Sequence, residues 1–129
     1  MKRYKKKKSS FRHSLTYALT GIGHAFSTQR NMKIHFLVAT LVCILGISLS
    51  ISRLEWLALI FVTGLVISLE MMNTSVELVV DLSTNQQKIR AKLAKDVAAG
   101  SVLIASILAL ICGCLIFYPR FVNLMSGGT

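Results

Sequence analysis

Apolar positions divide the chain into four segments. Three are continuous stretches long enough to cross a bilayer, whose ~30 Å hydrocarbon core takes ~20 helical residues. The first covers residues 34–52, a run from Ile34 (IHFLVATLVCILGISLSI) without a formal charge. The second covers residues 54–82 and is uncharged from Trp56 to Leu69, then acidic. The third covers residues 97–118 (VAAGSVLIASILALICGCLIFY) and is again uncharged. Unbroken runs lack the period-two alternation of membrane-barrel strands, so the pattern predicts three transmembrane helices. Residues 11–31 read differently. Phe11, Leu15, Leu19, Ile22 and Phe26 recur at helical spacing with Ala18 and Ala25 beside them, and Arg12, His13, Thr16, Thr20, His24 and Ser27 are interleaved. One apolar stripe on a polar helix predicts an amphipathic helix lying in the membrane interface. The expected architecture is an all-α integral membrane protein, with a surface helix and three spans forming one membrane-embedded domain over residues 11–120. A basic tail (1–10) precedes it and a short tail (121–129) follows.

Composition agrees with this pattern. Only 16 % of the 129 residues are charged and 53 % are hydrophobic, with mean hydropathy +0.63. Soluble domains carry about 25 % charged residues, and disordered chains are far less apolar. The net charge of +10 sits asymmetrically: thirteen of the 15 Lys/Arg precede the first span or lie between the second and third. The positive-inside bias therefore predicts a multi-pass cell-membrane protein with a cytoplasmic N-terminus. Trp56 and Tyr118 then fall near the outer interface. The run Lys2-Arg-Tyr-Lys-Lys-Lys-Lys8 suits anionic headgroups, at roughly 1 kcal/mol per charge. It carries no base-reading pattern, so no nucleic-acid partner is expected. The first apolar run starts some thirty residues in and exceeds a signal-peptide core, so it is expected to stay as an anchor. Cys43, Cys112 and Cys114 form no C-x-x-C pair and read as reduced, small apolar side chains.

The acidic residues carry the chemical signal. Only five exist, and Glu70, Glu77 and Asp81 share the second span with Asn73. At ~100° per residue these four positions fall within about 80° of arc, opposite a wall of Leu, Ile and Val. Twenty residues from Trp56 reach the cytoplasmic boundary near Val76, which leaves Glu70 roughly 10 Å deep. An intramembrane carboxylate is costly and marks a functional site, here suited to a general base. The plainer reading pairs Asp81 with a loop lysine. Lys95 and Asp96 open the third span at the same level, Lys95 as a point charge for phosphate and Asp96 as its orienting partner or a helix cap. Two carboxylates and a lysine at headgroup level suggest a Mg²⁺–polyphosphate site. No G-x-x-x-x-G-K-[ST] or G-x-G-x-x-G occurs. His13, His24 and His35 read as interfacial hydrogen-bonding groups rather than bases.

The segment Glu70-Met-Met-Asn73-Thr74-Ser-Val-Glu77-Leu-Val-Val-Asp81 resembles the E-x-x-N-[ST]-x-x-E-x-x-x-D signature of the prokaryotic diacylglycerol kinase family. Ala94-Lys95-Asp96-Val-Ala-Ala-Gly100-Ser-Val-Leu is similar to its second signature. Tyr17-Ala-Leu-Thr with Gly21, His24, Ala25 and Gln29-Arg30-Asn31 looks like the Gram-positive branch that phosphorylates undecaprenol. The resemblance spans about residues 11–118. It implies an ATP-dependent lipid kinase, a homotrimer with active sites shared between subunits, and Mg²⁺ as cofactor. It further implies Glu70 as the general base on the lipid hydroxyl and Glu77 as a carboxylate for Mg²⁺–ATP. Asn73, Tyr17, Lys95 and Asp96 would stand as ATP contacts, with Gln86 and Lys88 in a loop that touches the nucleotide. One position departs: Gln29 stands where members usually have Glu, the second metal carboxylate, so an oxygen donor remains and a charge is lost. The branch resemblance favours undecaprenol over diacylglycerol as the acceptor. A proton-coupled transport subunit using Glu70 as a relay is the reading from another class, as is a non-catalytic interaction protein. A polar face confined to the cytoplasmic third of one span argues against transport.

Overall fold

The structure, a computed structural model, describes residues 11–83 and 89–126. Four helices follow in order: α1 (Phe11–Thr28), α2 (Arg30–Ser48), α3 (Arg53–Ser83) and α4 (Ile89–Met125). The last three are long and apolar enough to cross a membrane.

A single residue separates α1 from α2. Gln29 adopts an extended conformation (φ −95°, ψ 120°) while its N–H still bonds the Ala25 carbonyl at 2.9 Å. The helix expected over residues 11–31 is therefore cut at Thr28, and the next begins at Arg30 rather than residue 34. α2 ends at Ser48, earlier than expected, in a Schellman motif: Ile51 N–H bonds Gly46 O and Ser50 N–H bonds Ile47 O, each at 3.2 Å. Ser50 takes the left-handed conformation (φ 47°) that the motif requires, at a position where glycine is usual.

α3 opens with a capping box. Ser52 N–H donates to Glu55 Oε2 at 2.7 Å, and Glu55 N–H faces Ser52 Oγ at 3.4 Å. Glu55 Oε1 and Oε2 also accept from the two guanidinium nitrogens of Arg120, at 2.7 and 2.6 Å, which fastens the start of α3 to the end of α4. At the opposite end Lys95 Nζ lies 2.6 Å from Asp81 Oδ1. The two ion pairs bracket α3 and α4 as an antiparallel hairpin. Its packed core is Ile51, Leu59, Ile116 and Phe117, with Val42, Trp56 and Cys112 against it. Gly46 lets α2 approach this cluster, because a Cβ there would lie 2.8 Å from the Trp56 ring.

α4 is longer than the apolar run at residues 97–118. It begins at Ile89 because Ile-Arg-Ala-Lys-Leu-Ala-Lys is rich in strong helix formers, so the helix continues where apolarity stops. It also continues through Pro119, which lacks an N–H. Nearby, Arg120 Nη1 donates to the Ile116 carbonyl at 2.7 Å. At 1.5 Å per residue its 37 residues reach about 55 Å, beyond the hydrocarbon core. Large apolar side chains stand exposed around α2, α3 and α4, as helices that face lipid or neighbouring helices require. The five apolar residues of the α1 stripe are exposed as well.

Candidate active site

The site is built on the polar face of α3. Among the described residues Glu70, Asn73 and Thr74 are the buried polar ones, and Glu70 is only 1 % exposed. Its helical register places it on the side covered by the first turns of α2. There Asn31 hydrogen-bonds the Glu70 side chain, and His35 Nε2 stands 4.0 Å from Glu70 Oε2. Thr74 Oγ1 returns its hydrogen bond to the Glu70 backbone carbonyl at 2.9 Å, so it asks nothing of the carboxylate.

One turn along α3, Asn73 Nδ2 donates to Glu77 Oε1 at 3.0 Å. The extended residue between α1 and α2 brings the Gln29 amide to the same carboxylate, with Nε2 3.4 Å from Glu77 Oε2. Glu77 is therefore held between two amides, one from its own helix and one from the α1–α2 break. Asn73 Oδ1 is buried and has no hydrogen-bond partner among the described residues. An orphaned buried carbonyl oxygen is costly, and its presence beside a carboxylate fits an oxygen-donor site awaiting a ligand. Glu77 oxygens, Asn73 Oδ1 and the Gln29 carbonyl are hard donors of the kind that Mg²⁺ takes together with phosphate oxygens. Among the described residues no group of three His, Cys, Asp or Glu side chains is placed to hold an ion.

Other expected site residues stand apart from this cluster. Lys95 pairs with Asp81 one helical turn beyond Glu77, the plain ion-pair reading of Asp81. Asp96 neither orients Lys95 through an ion pair nor caps a helix, because α4 starts two turns earlier. Tyr17 is exposed on α1, its ring 6.5 Å from that of His13. Gln86 and Lys88 lie outside the described residues. Sequence reasoning names Asn31 within a family-like segment and His35 as an interfacial group, but gives neither a place beside Glu70. Their i, i+4 spacing at the start of an apolar helix puts them on one face, which is the signal that singles them out. His35 also lines a cavity of about 630 Å³ between α2, α3 and α4, whose other walls include Val38, Val42, Val66, Ala109 and Phe117. The imidazole thus stands between this apolar space and the buried carboxylate.

Comparison with known proteins bears on this arrangement. The chain is 38 % identical over 110 residues to the undecaprenol kinase of Bacillus subtilis, covering 85 % of this chain and 89 % of that protein. It is 40 % identical over 113 residues to a diacylglycerol kinase of Synechocystis sp., covering 87 % of this chain and 65 % of that longer protein. The family model described as prokaryotic diacylglycerol kinase matches residues 16–117, which takes in the α1–α2 break, the polar face of α3 and the ion-paired start of α4. With three membrane-length helices and a match over most of its length, the chain is a multi-pass membrane kinase and belongs to the prokaryotic diacylglycerol kinase family.

Proposed function

We propose that the chain transfers the γ-phosphate of ATP to the hydroxyl of undecaprenol at the cytoplasmic face of the membrane. The observation that carries this reading is a carboxylate sealed from water, Glu70, on the same helix face as the Asn73–Glu77–Gln29 cluster. Phosphoryl transfer is governed by positioning and charge neutralisation, and the two halves of this face supply one each. Glu70 takes the hydroxyl proton as the oxygen attacks phosphorus, and the overall reaction yields the lipid phosphate, ADP and one proton. Glu77, Asn73 and Gln29 would hold Mg²⁺, which would supply neutralisation of the triphosphate charge when bound. Lys95 leaves Asp81 to meet the phosphates. Asp96, Tyr17, Gln86 and Lys88 complete the nucleotide contacts by their resemblance to the family pattern. The apolar cavity, with His35 at its polar end, receives part of the acceptor's tail.

The remaining assignments belong to the same reading. The N-terminus is cytoplasmic, α1 lies in the interface on its exposed apolar stripe, and three copies associate through the apolar faces that one chain leaves uncovered. Undecaprenol is preferred because the Bacillus relative carries that name and is matched nearly end to end. Diacylglycerol is the second reading, favoured by the name of the Synechocystis relative.

Purified protein in bilayers, given labelled ATP and Mg²⁺ with both alcohols side by side, tests the proposal. Label is expected in undecaprenyl phosphate. Label mainly in phosphatidic acid selects the second reading. Transfer to neither lipid, with ATP and Mg²⁺ bound, overturns the proposal.

A further inference from the structure

Each turnover leaves a proton on Glu70, and the carboxylate must lose it before the next acceptor arrives. Glu70 has no direct path to water: its side chain is 2 % exposed. Asn31 touches it but neither gains nor loses a proton in this pH range, and Thr74 bonds its backbone rather than its carboxylate. Glu77, two turns along the same helix, is another carboxylate and is occupied by Asn73 and Gln29. Among the described residues the titratable cationic group that faces Glu70 is His35, with Nε2 4.0 Å from Oε2 and its side chain 20 % exposed. His35 lies two residues beyond Lys33 in α2, about 3 Å along the axis from that charged residue. Imidazole also has two ring nitrogens, so it can accept a proton at one and release a proton from the other.

We infer that His35 is the proton exit of the site: it accepts at Nε2 the proton that Glu70 takes from the lipid hydroxyl and passes it to interfacial water. The inference rests on the proposed role of Glu70 as the base. The O–H bond of the acceptor breaks and its proton bonds to Glu70. That proton then moves to neutral His35, which becomes imidazolium, and Glu70 returns to carboxylate. Loss of one proton to water restores the neutral ring, so no further reactant is needed. A separation of 4.0 Å is about 1 Å longer than a transfer distance. One bridging water or a small ring movement closes it, as catalytic contacts commonly tighten once substrate is bound. His35 also borders the cavity, so its ring lies between that space and the Glu70 carboxylate.

The test uses full-length protein in bilayers, with the variants His35→Gln and His35→Ala and with Glu70→Gln as reference. His35→Gln keeps size and polarity but carries no proton. Both His35 variants are expected to lose about tenfold to a hundredfold in kcat, with KM for ATP within about twofold. Free imidazole should restore His35→Ala in proportion to its concentration and leave His35→Gln unchanged. A His35→Gln enzyme with wild-type kcat overturns the inference. So does a loss in His35→Ala that imidazole does not relieve, because that result assigns the ring a purely structural role. Glu70→Gln separates this inference from the reading beneath it. If Glu70→Gln is inactive and His35→Gln is not impaired, only the exit route fails. If Glu70→Gln turns over normally, the base assignment fails as well.

Discussion

Replacing Gln29 by Glu is the most informative change at the end of the site proposed to hold Mg²⁺. In the structure its amide nitrogen lies 3.4 Å from a Glu77 oxygen, a weak but attractive contact. The substitution puts a second negative charge at that distance. Coulomb's law gives a repulsion of about 5 kcal/mol at an effective dielectric of ~20, and about 1 kcal/mol in bulk water. The metal-free variant should therefore be less stable by an amount between these limits. For a chain of 129 residues, a lower Tm of about 3–5 °C per kcal/mol follows. A divalent cation between the carboxylates reverses the sign, because it attracts both and is attracted more strongly than by one carboxylate and an amide. Mg²⁺–ATP should then bind at least about tenfold more tightly, equivalent to about 1.4 kcal/mol. Two measurements check this: thermal unfolding in detergent with and without Mg²⁺, and nucleotide titration at fixed Mg²⁺. A variant that is unchanged without metal, or that binds Mg²⁺–ATP no better than the parent, refutes the placement of Gln29 and Glu77 at one cation.

Two further predictions follow from the packing and the ion pairs. Gly46→Ala should destabilise the fold by about 1–2 kcal/mol, since the new methyl group meets the Trp56 ring at 2.8 Å and overpacking outweighs the helix-propensity gain. Trp56 is the single tryptophan, so a shift in its emission together with a lower Tm reports the change, and an unaltered Tm contradicts it. Lys95→Met should raise KM for ATP, whereas Asp81→Asn, which frees Lys95 from its 2.6 Å partner, should leave it unchanged or lower it. Equal increases in KM for both variants would mean that the pair, rather than the lysine, serves the nucleotide.

How much of this was legible before the structure depends on the range of the interaction. The three membrane helices follow from the length of unbroken apolar runs and the stripe of residues 11–26 from helical periodicity, and both signals are local. The polar face of α3 follows from spacing alone: residues 0, 3, 7 and 11 positions from Glu70 share one side of any helix. The meeting of Gln29 with Glu77 spans forty-eight positions and turns on one extended residue that neither glycine nor proline announces. Only resemblance to the family pointed to Gln29. Helix ends depart from the apolar boundaries where helix propensity outlasts apolarity, at the start of α4, and where a serine takes a left-handed turn, at Ser50. Arg120 is one of the two basic residues, with Arg53, outside the thirteen on the cytoplasmic side, and nothing local in the sequence couples it to Glu55 sixty-five positions earlier. His35 reads as interfacial in the sequence for a similar reason: its partner lies on another helix, and only packing shows that the imidazole faces a buried carboxylate.

The account stands on Glu70 as the group that takes the proton from the lipid. Single-turnover phosphoryl transfer by Glu70→Gln in bilayers, with ATP binding measured in parallel, tests this most directly. Glutamine preserves the size and the Asn31 contact and removes the basicity. The rate is expected to fall at least about a hundredfold, the usual contribution of a positioned base, while ATP affinity stays within about threefold. Transfer at the parent rate with that side chain in place would contradict the account.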